Sequence, residues 1–66
     1  MSVAKVIELV GSSPKSWEDA AKVAIEKAGK SVRNIRGVKV ENLTAKVKGK
    51  KIVEYRCNVK IAFGVE

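Results

Sequence analysis

The chain has 66 residues, of which 45% are apolar, 32% charged and 5% aromatic, and its formal net charge is +7. This length fits one domain, residues 1–66, because domains rarely fall below about 50 residues. No uncharged stretch reaches the ~20 residues of a membrane span and the N-terminus does not resemble a secretory signal, so we expect a cytoplasmic protein with no membrane partner. One cysteine excludes an internal disulfide, and the lack of histidine excludes a zinc cluster and the commonest general base.

A chain this short is expected to self-associate. It buries only about 60% of the surface that its unfolded form exposes, and its core barely offsets the entropy lost on ordering the chain. With no disulfide or metal cluster to add stability, oligomerisation is the remaining source.

The first half of the chain predicts a strand followed by a helix. Residues 3–10 are rich in β-branched and aliphatic residues, and the turn-forming residues 11–14 are expected to end the strand. Ser16 offers an N-cap for a helix at about residues 16–31, with Glu18 and Asp19 at its positive end. The apolar positions with helical spacing are Ala21, Ala24, Ile25 and Ala28. This narrow, alanine-rich stripe lets the helix lie close to a sheet.

The second half predicts a long β-hairpin. Residues 52–65 alternate between apolar odd positions and mainly polar even ones, which is the clearest period-2 pattern in the chain. The preceding strand, at about residues 35–47, changes phase near Glu41 and Asn42, so we expect a β-bulge there. The turn falls at residues 48–51, where Gly49 can supply a positive φ.

These elements predict an α+β fold of order β-α-β-β, with one helix on one face of a three-stranded antiparallel sheet. Val6 is expected to point away from Ile7, and Val38 away from the side of Ile35. Because the helix covers one face only, some apolar residues lie off that face. Their burial against other copies of the chain again favours a homo-oligomer.

Several segments, in this order and spacing, resemble the dodecin family over essentially the whole chain. They are residues 5–14, the helix from Trp17 to Ala28, the pair Val40-Glu41 and the ending at residues 55–63. The resemblance implies a β-α-β-β protomer and a hollow homododecamer with two-fold and three-fold axes. It also implies binding and buffering of flavins such as riboflavin or FMN, without catalysis.

The flavin site implied by the resemblance maps onto Gly37 and Arg56. In flavin-binding members a tryptophan at the start of the second strand stacks on the isoalloxazine ring, and a glutamine on the third strand hydrogen-bonds the ring's polar edge. Here Gly37 stands at the tryptophan position and Arg56 at the glutamine position, so that device for holding the flavin is absent. Arg56 either stacks on a ring or holds a phosphate, or it pairs with Glu54 or Asn58 in solvent. Gly37 is either a gap in a ligand pocket or a point of close backbone approach.

Residues 16–18 resemble the branch called calcium dodecins, whose members lack that tryptophan. Calcium needs several hard oxygen ligands, and the seven acids here are spread along the chain, so a calcium site would combine several subunits. Glu8, Glu54 and Glu66 are either metal ligands or partners of nearby lysines. The sequence assigns no metal ligand among them.

The other residues with notable chemistry favour structural roles. Tyr55 and Phe63 lie on the apolar face of the last strand, which indicates core packing rather than a stacking platform for RNA. Cys57 lies on the same face and is expected to be inert. Trp17 is expected to pack on its own protomer or a neighbour rather than to offer its ring to a ligand. The lysines in residues 48–51 indicate a charged hairpin tip, with a phosphate grip as the alternative.

The sequence as a whole predicts a non-catalytic ligand-binding or storage assembly. Its positive charge favours small anionic or flavin-like ligands. A small basic nucleic-acid-binding module is the competing class, and neither a nucleic-acid motif nor exposed interleaved aromatics support it. We assign no catalytic residues, because the chain lacks histidine, an activated nucleophile, a carboxylate pair and a glycine-rich phosphate loop.

Overall fold

The computed structural model describes residues 3–65, which form one helix and three strands in the order β-α-β-β. The strands are β1 (Val3–Ser13), β2 (Ile35–Lys48) and β3 (Lys51–Val65), and the helix α1 is Trp17–Gly29. β3 lies in the middle and pairs antiparallel with both other strands. The predicted fold class is therefore confirmed. Within the described residues, no helix is long and apolar enough to cross a membrane.

Helix α1 starts at the cap that the sequence predicts. The Ser16 hydroxyl accepts a hydrogen bond from the backbone N–H of Asp19 at 3.0 Å, which satisfies one of the free donors at the helix start. The helix ends at Gly29, two residues before the predicted end. Beyond it the backbone N–H of Lys30 bonds the carbonyl of Lys27, which closes the last turn.

The core lies between α1 and the side of the sheet that faces it. Small residues on the helix oppose larger apolar residues on the central strand. The buried residues of this core are Ala20, Ala24, Ala28, Cys57, Val59 and Ile61. Cys57 is buried and forms no disulfide, and its burial agrees with its place on the apolar face of β3.

Strand β1 extends three residues beyond its predicted end. Residues 11–14 were expected to break the strand, but Gly11 pairs with Cys57 and Ser13 pairs with Tyr55. The cause is tertiary: β3 supplies backbone partners as far as Tyr55, and Ser13 is buried with its hydroxyl satisfied. That hydroxyl donates to Asp19 Oδ2 at 2.6 Å and accepts from the backbone N–H of Lys15 at 3.0 Å.

The predicted β-bulge at Glu41 is confirmed. The pairing of β2 with β3 shifts register between Val40, which lies opposite Val59, and Asn42, which lies opposite Asn58. The extra residue is Glu41. A bulge changes the direction in which the neighbouring side chains point.

The predicted orientation of Val38 is wrong. Ile35 lies opposite Phe63 and Val38 lies opposite Ile61, so both face the helix side of the sheet. A second register irregularity between Ile35 and Gly37 causes this, because one inserted residue reverses the faces of those that follow.

The hairpin turn has Gly49 and Lys50 at its centre, between the pair formed by Lys48 and Lys51. Gly49 has a φ of 67°, which confirms the need for glycine there. The turn closes the end of the sheet that is far from the pair formed by Val3 and Val65.

Candidate functional site

Both predicted ligand-binding residues lie on the outer face of the sheet, away from α1, but far apart. From Glu54 onward the even-numbered residues of β3, Arg56 among them, turn to this face, and Gly37 lies opposite one of them, Ala62. Ala62 lies six positions along β3 from Arg56, which is about 20 Å at ~3.4 Å per residue. A ligand that touches both positions would therefore have to contact two different subunits.

Gly37 opens onto a pocket of ≈ 320 Å³ on the outer face, which we call the Gly37 pocket. Its lining is mostly apolar, with lysine side chains on one side. The lining residues are Val6, Gly37, Val38, Lys39, Lys60 and Ala62. A Cβ atom at position 37 would meet no other atom within 4 Å. Within the protomer, Gly37 is thus a gap and not a point of close backbone approach.

A carboxylate from the bulge joins the two lysines of this pocket. Lys60 Nζ lies 3.0 Å from Glu41 Oε1, and Lys39 Nζ lies 4.0 Å from the same oxygen. The hydrogen bond from Lys60, together with the charge of Lys39, lowers the pKa of Glu41 below its ordinary value. The same hydrogen bond raises the pKa of Lys60, and the charge of Glu8 adds to that rise.

Sequence reasoning missed this charged group. Glu41 and Lys60 are nineteen residues apart, and neither belongs to a recognisable motif. The available signal was the phase change at residues 41–42, since a bulge often redirects a side chain toward a site.

Arg56 forms the local pair that the sequence offered as one of its alternatives. Its Nε and Nη2 both donate to Glu54 Oε2, at 3.2 and 2.9 Å. The Arg56 side chain is 47% exposed, so one face of the guanidinium stays open to solvent. A ligand-binding role for Arg56 remains a prediction.

The sequence profile of the dodecin family matches residues 3–66. The chain belongs to the dodecin family. Dodecins are non-enzymatic binding proteins, and their characteristic assembly is a dodecamer.

Two relatives show how this dodecin compares within the family. Calcium dodecin from Mycobacterium tuberculosis is 40% identical over 63 residues, which cover 96% of this chain and 89% of the relative. The crystal structure of that protein, described as having a calcium-binding site, matches with a TM-score of 0.85 and 39% identity over 98% of this chain and 93% of its own. A variant of dodecin from Thermus thermophilus matches with a TM-score of 0.96 at 27% identity, over 100% and 98% of the two chains.

Trp17 does not substitute for the missing ring of a flavin site in this dodecin. Its indole packs edge-to-face on Tyr55, with ring centroids 4.8 Å apart, and its Nε1 donates to the carbonyl of Thr44 at 2.8 Å. Trp17 therefore packs on its own protomer, as one of the sequence alternatives predicts. It fastens the start of α1 to β2 and β3, at the opposite end of β2 from Gly37.

The acids of one protomer do not fit a calcium ion. Over residues 3–65, no three carboxylate or thiol side chains come together to hold a metal. Glu18 pairs with Lys22 at 3.4 Å, and Glu41 and Glu54 are paired with Lys60 and Arg56. The predicted candidate Glu66 lies outside the described residues. A calcium site would thus need acids or carbonyls from neighbouring subunits.

Proposed function

We propose that this dodecin forms a hollow homododecamer that binds and stores a small ligand without transforming it. Membership of the family supports the assembly, and so does the apolar surface that one protomer leaves exposed. On the helix-facing side of β2, beyond the reach of α1, Val38, Val40 and Leu43 are all between 43% and 51% exposed. A contiguous apolar surface of this kind is normally covered by another protein surface.

The Gly37 pocket is the observation that carries the proposed binding function. Its volume lies at the lower end of the range for small-molecule sites, about 300–1,000 Å³. Val6 and Ala62 would contact the flat or apolar part of a ligand, and Lys39 and Lys60 would attract an anionic group. The chain's charge of +7, repeated in twelve copies, also favours an anion.

Flavin binding by the family's usual contacts is not expected to be strong here. No aromatic ring stands at position 37, and the guanidinium of Arg56 offers donors only, whereas an amide offers both a donor and an acceptor. FMN would be held mainly through its phosphate and through apolar contact. Its affinity is then expected to fall as salt is added.

Calcium is the second candidate ligand, because the relative that is 40% identical is a calcium dodecin. Glu8 on β1, and Asp19 and Glu26 on α1, are the described acids with no ion pair within 4.0 Å, and Asp19 already accepts a hydrogen bond from the Ser13 hydroxyl. A calcium ion would therefore have to gather them, or backbone carbonyls, across subunit contacts.

Native mass spectrometry followed by calorimetric titration tests both parts of the proposal. Protein purified without added ligand should show a twelvefold mass, and then bind FMN or inorganic phosphate at low salt. Gly37→Leu should fill the pocket and abolish that binding while the twelvefold mass is kept. Gly29→Ala, at a position with free space around it, is the matched control and should bind like the wild type.

Each other outcome has a definite meaning. A monomeric mass would contradict the assembly. Failure of FMN, phosphate and calcium alike to bind would contradict the binding function. Calcium binding that survives Gly37→Leu would assign calcium to a second site between subunits.

A further inference from the structure

The end of the β2–β3 hairpin projects from the sheet as a two-stranded ribbon. The pairing of β1 with β3 ends at Ser13 and Tyr55, whereas β2 and β3 continue to pair as far as Lys48 and Lys51. We call residues 46–53 the basic ribbon. All eight of these residues are exposed, and the protomer is 51 Å long and only 20 Å and 13 Å across.

The basic ribbon carries a concentration of unbalanced positive charge. Its lysines are Lys46, Lys48, Lys50 and Lys51, and residues 46–53 include no acid. Over residues 3–65, none of these lysines has a carboxylate oxygen within 4.0 Å of its Nζ. The nearest acid in the sheet is Glu54, which lies directly opposite Lys46 on β3, and its carboxylate is held by Arg56 at 2.9 Å. Unpaired lysines are almost never buried, so the ribbon should also contact solvent in an assembly.

The ribbon places three of its four lysines on one face, and the fourth, Lys50, lies in the turn. Lys46 and Lys48 are two residues apart on β2 and share a face, and Lys51 lies directly opposite Lys48 on the same face. Like charges directly opposite in a sheet destabilise it, so an external anion would relieve the repulsion between Lys48 and Lys51. The other face carries the pair Val47 and Ile52.

We propose that the basic ribbon binds the phosphate backbone of duplex nucleic acid without reading its sequence. A two-stranded β-ribbon fits the major groove of B-DNA, about 12 Å wide. Lysines separated by about 7 Å along β2 can contact phosphates, and the ribbon has no arginine or polar amide to read bases. An acidic bilayer is the less favoured partner, because ribbon residues 46–53 lack the tryptophan, phenylalanine and leucine that anchor interfacial segments.

Fluorescence anisotropy with a labelled 20-base-pair duplex of random sequence tests this proposal on the full-length, assembled protein. The wild type should bind at ~50 mM salt, with log K falling linearly against log salt concentration. A second duplex of unrelated sequence should bind with the same affinity within about threefold, since phosphate contacts carry no sequence information. Lack of binding at ~50 mM salt would overturn the proposal.

Two matched variants separate the ribbon from the overall charge. One replaces Lys46, Lys48, Lys50 and Lys51 with Gln, and the other replaces Lys5, Lys15, Lys27 and Lys30 with Gln. Each variant loses four exposed lysines that have no described ion pair, so each falls from +7 to +3. The ribbon variant should bind at least about tenfold more weakly, with a salt slope shallower by ~0.9 for each phosphate that it no longer neutralises. The control variant should stay within about threefold of the wild type.

Equal losses of affinity for the duplex in the two variants would mean that binding depends on net charge alone, and would overturn the proposal. So would tighter, ribbon-dependent binding to vesicles of acidic phospholipid than to the duplex. If the variant that lacks all four ribbon lysines does not assemble, the double variant Lys48→Gln with Lys50→Gln gives a milder test. About half of the change in the salt slope is expected for it. Ligand binding in the Gly37 pocket is measured separately, so the proposed function and this inference can fail independently.

Discussion

The backbone of Gly11 passes directly beneath the carbonyl group of Ala20, so that strand β1 and helix α1 leave no room for a side chain between them. A Cβ atom at position 11 would overlap the carbonyl oxygen of Ala20 and lie 2.9 Å from the Cβ of Ala24. The close approach explains why the helix presents alanines to the sheet. It also explains why a residue that usually ends a strand lies inside one.

Gly11→Ala is expected to destabilise the protein by about 1–3 kcal/mol, because overpacking forces the helix away from the sheet. Guanidinium unfolding at fixed protein concentration measures the change, since stability of an oligomer depends on concentration. Gly29→Ala is the matched control: its methyl group meets nothing within 4 Å, and alanine favours the helix. That control should be neutral or stabilising by up to ~1 kcal/mol. Equal destabilisation by both variants would contradict the packing explanation.

Trp17→Phe should destabilise the protein by about 1–2 kcal/mol, because it removes the hydrogen bond to the carbonyl of Thr44 and part of the ring contact with Tyr55. Thermal unfolding followed by circular dichroism measures this. Tyr55→Phe is the control, since it keeps the edge-to-face contact and should change stability less. In the wild type, the single tryptophan also reports the unfolding of the helix start by fluorescence. A larger loss of stability in Tyr55→Phe than in Trp17→Phe would contradict this assignment.

Gly37→Trp combined with Arg56→Gln should strengthen flavin binding, since it restores the ring and the amide that flavin-binding dodecins use. The protomer has space for the new side chain, because nothing lies within 4 Å of a Cβ at position 37. Quenching of riboflavin fluorescence measures the affinity without a phosphate contribution. We expect at least a tenfold gain for the double variant, which corresponds to about 1.4 kcal/mol.

The two single variants serve as controls for this gain. Gly37→Trp alone should recover most of the affinity, because stacking buries the largest area of the flavin ring. Arg56→Gln alone should recover little. No gain in the double variant would mean that neighbouring subunits close the Gly37 pocket to a flavin.

Glu41→Gln is expected to change how stability depends on pH. The pKa of Glu41 is lowered in the folded state, so its ion pair with Lys60 stabilises the protein above the ordinary glutamate value of 4.5. That contribution is lost as the pH falls from about this value through the lowered pKa. Unfolding midpoints at a series of pH values between ~6 and ~3 should therefore fall less steeply for the variant than for the wild type.

Glu18→Gln is the control for this comparison, because Glu18 forms an exposed i,i+4 pair with Lys22 at 3.4 Å. Exposed ion pairs of this kind contribute little to stability. The unfolding midpoint of Glu18→Gln should therefore change with pH as that of the wild type does. If the unfolding midpoint of Glu41→Gln also changed with pH as that of the wild type does, the ion pair between Glu41 and the pocket lysines would not contribute to stability.

Local rules accounted for much of the fold. The cap at Ser16 follows from side-chain chemistry, and the alternation in residues 52–65 follows from the pleat of a strand. The bulge at Glu41 was visible as a change of phase. In each case the responsible residues are close neighbours in the chain, so the sequence contains the whole interaction.

The candidate site was less accessible to sequence reasoning. The resemblance drew attention to positions 37 and 56, but it did not show that the strand separates them by about 20 Å in one protomer. The pairing of Lys60 with Glu41 joins two strands and depends on their register. Register is fixed by contacts along the whole hairpin, which is why no local pattern reveals the charged side of the pocket.

What the sequence by itself determined was the order of elements, the single buried face of β3 and the glycine at the hairpin turn, because each depends on periodicity or on backbone freedom at one residue. Only the tertiary structure decided that Gly11 continues a strand, that Val38 faces the helix side, and that the basic ribbon continues past the last residue pair of β1 with β3. Those features depend on where one strand lies against another. Such placement is set by the packing of residues distant in the chain, and a single residue of register reverses it.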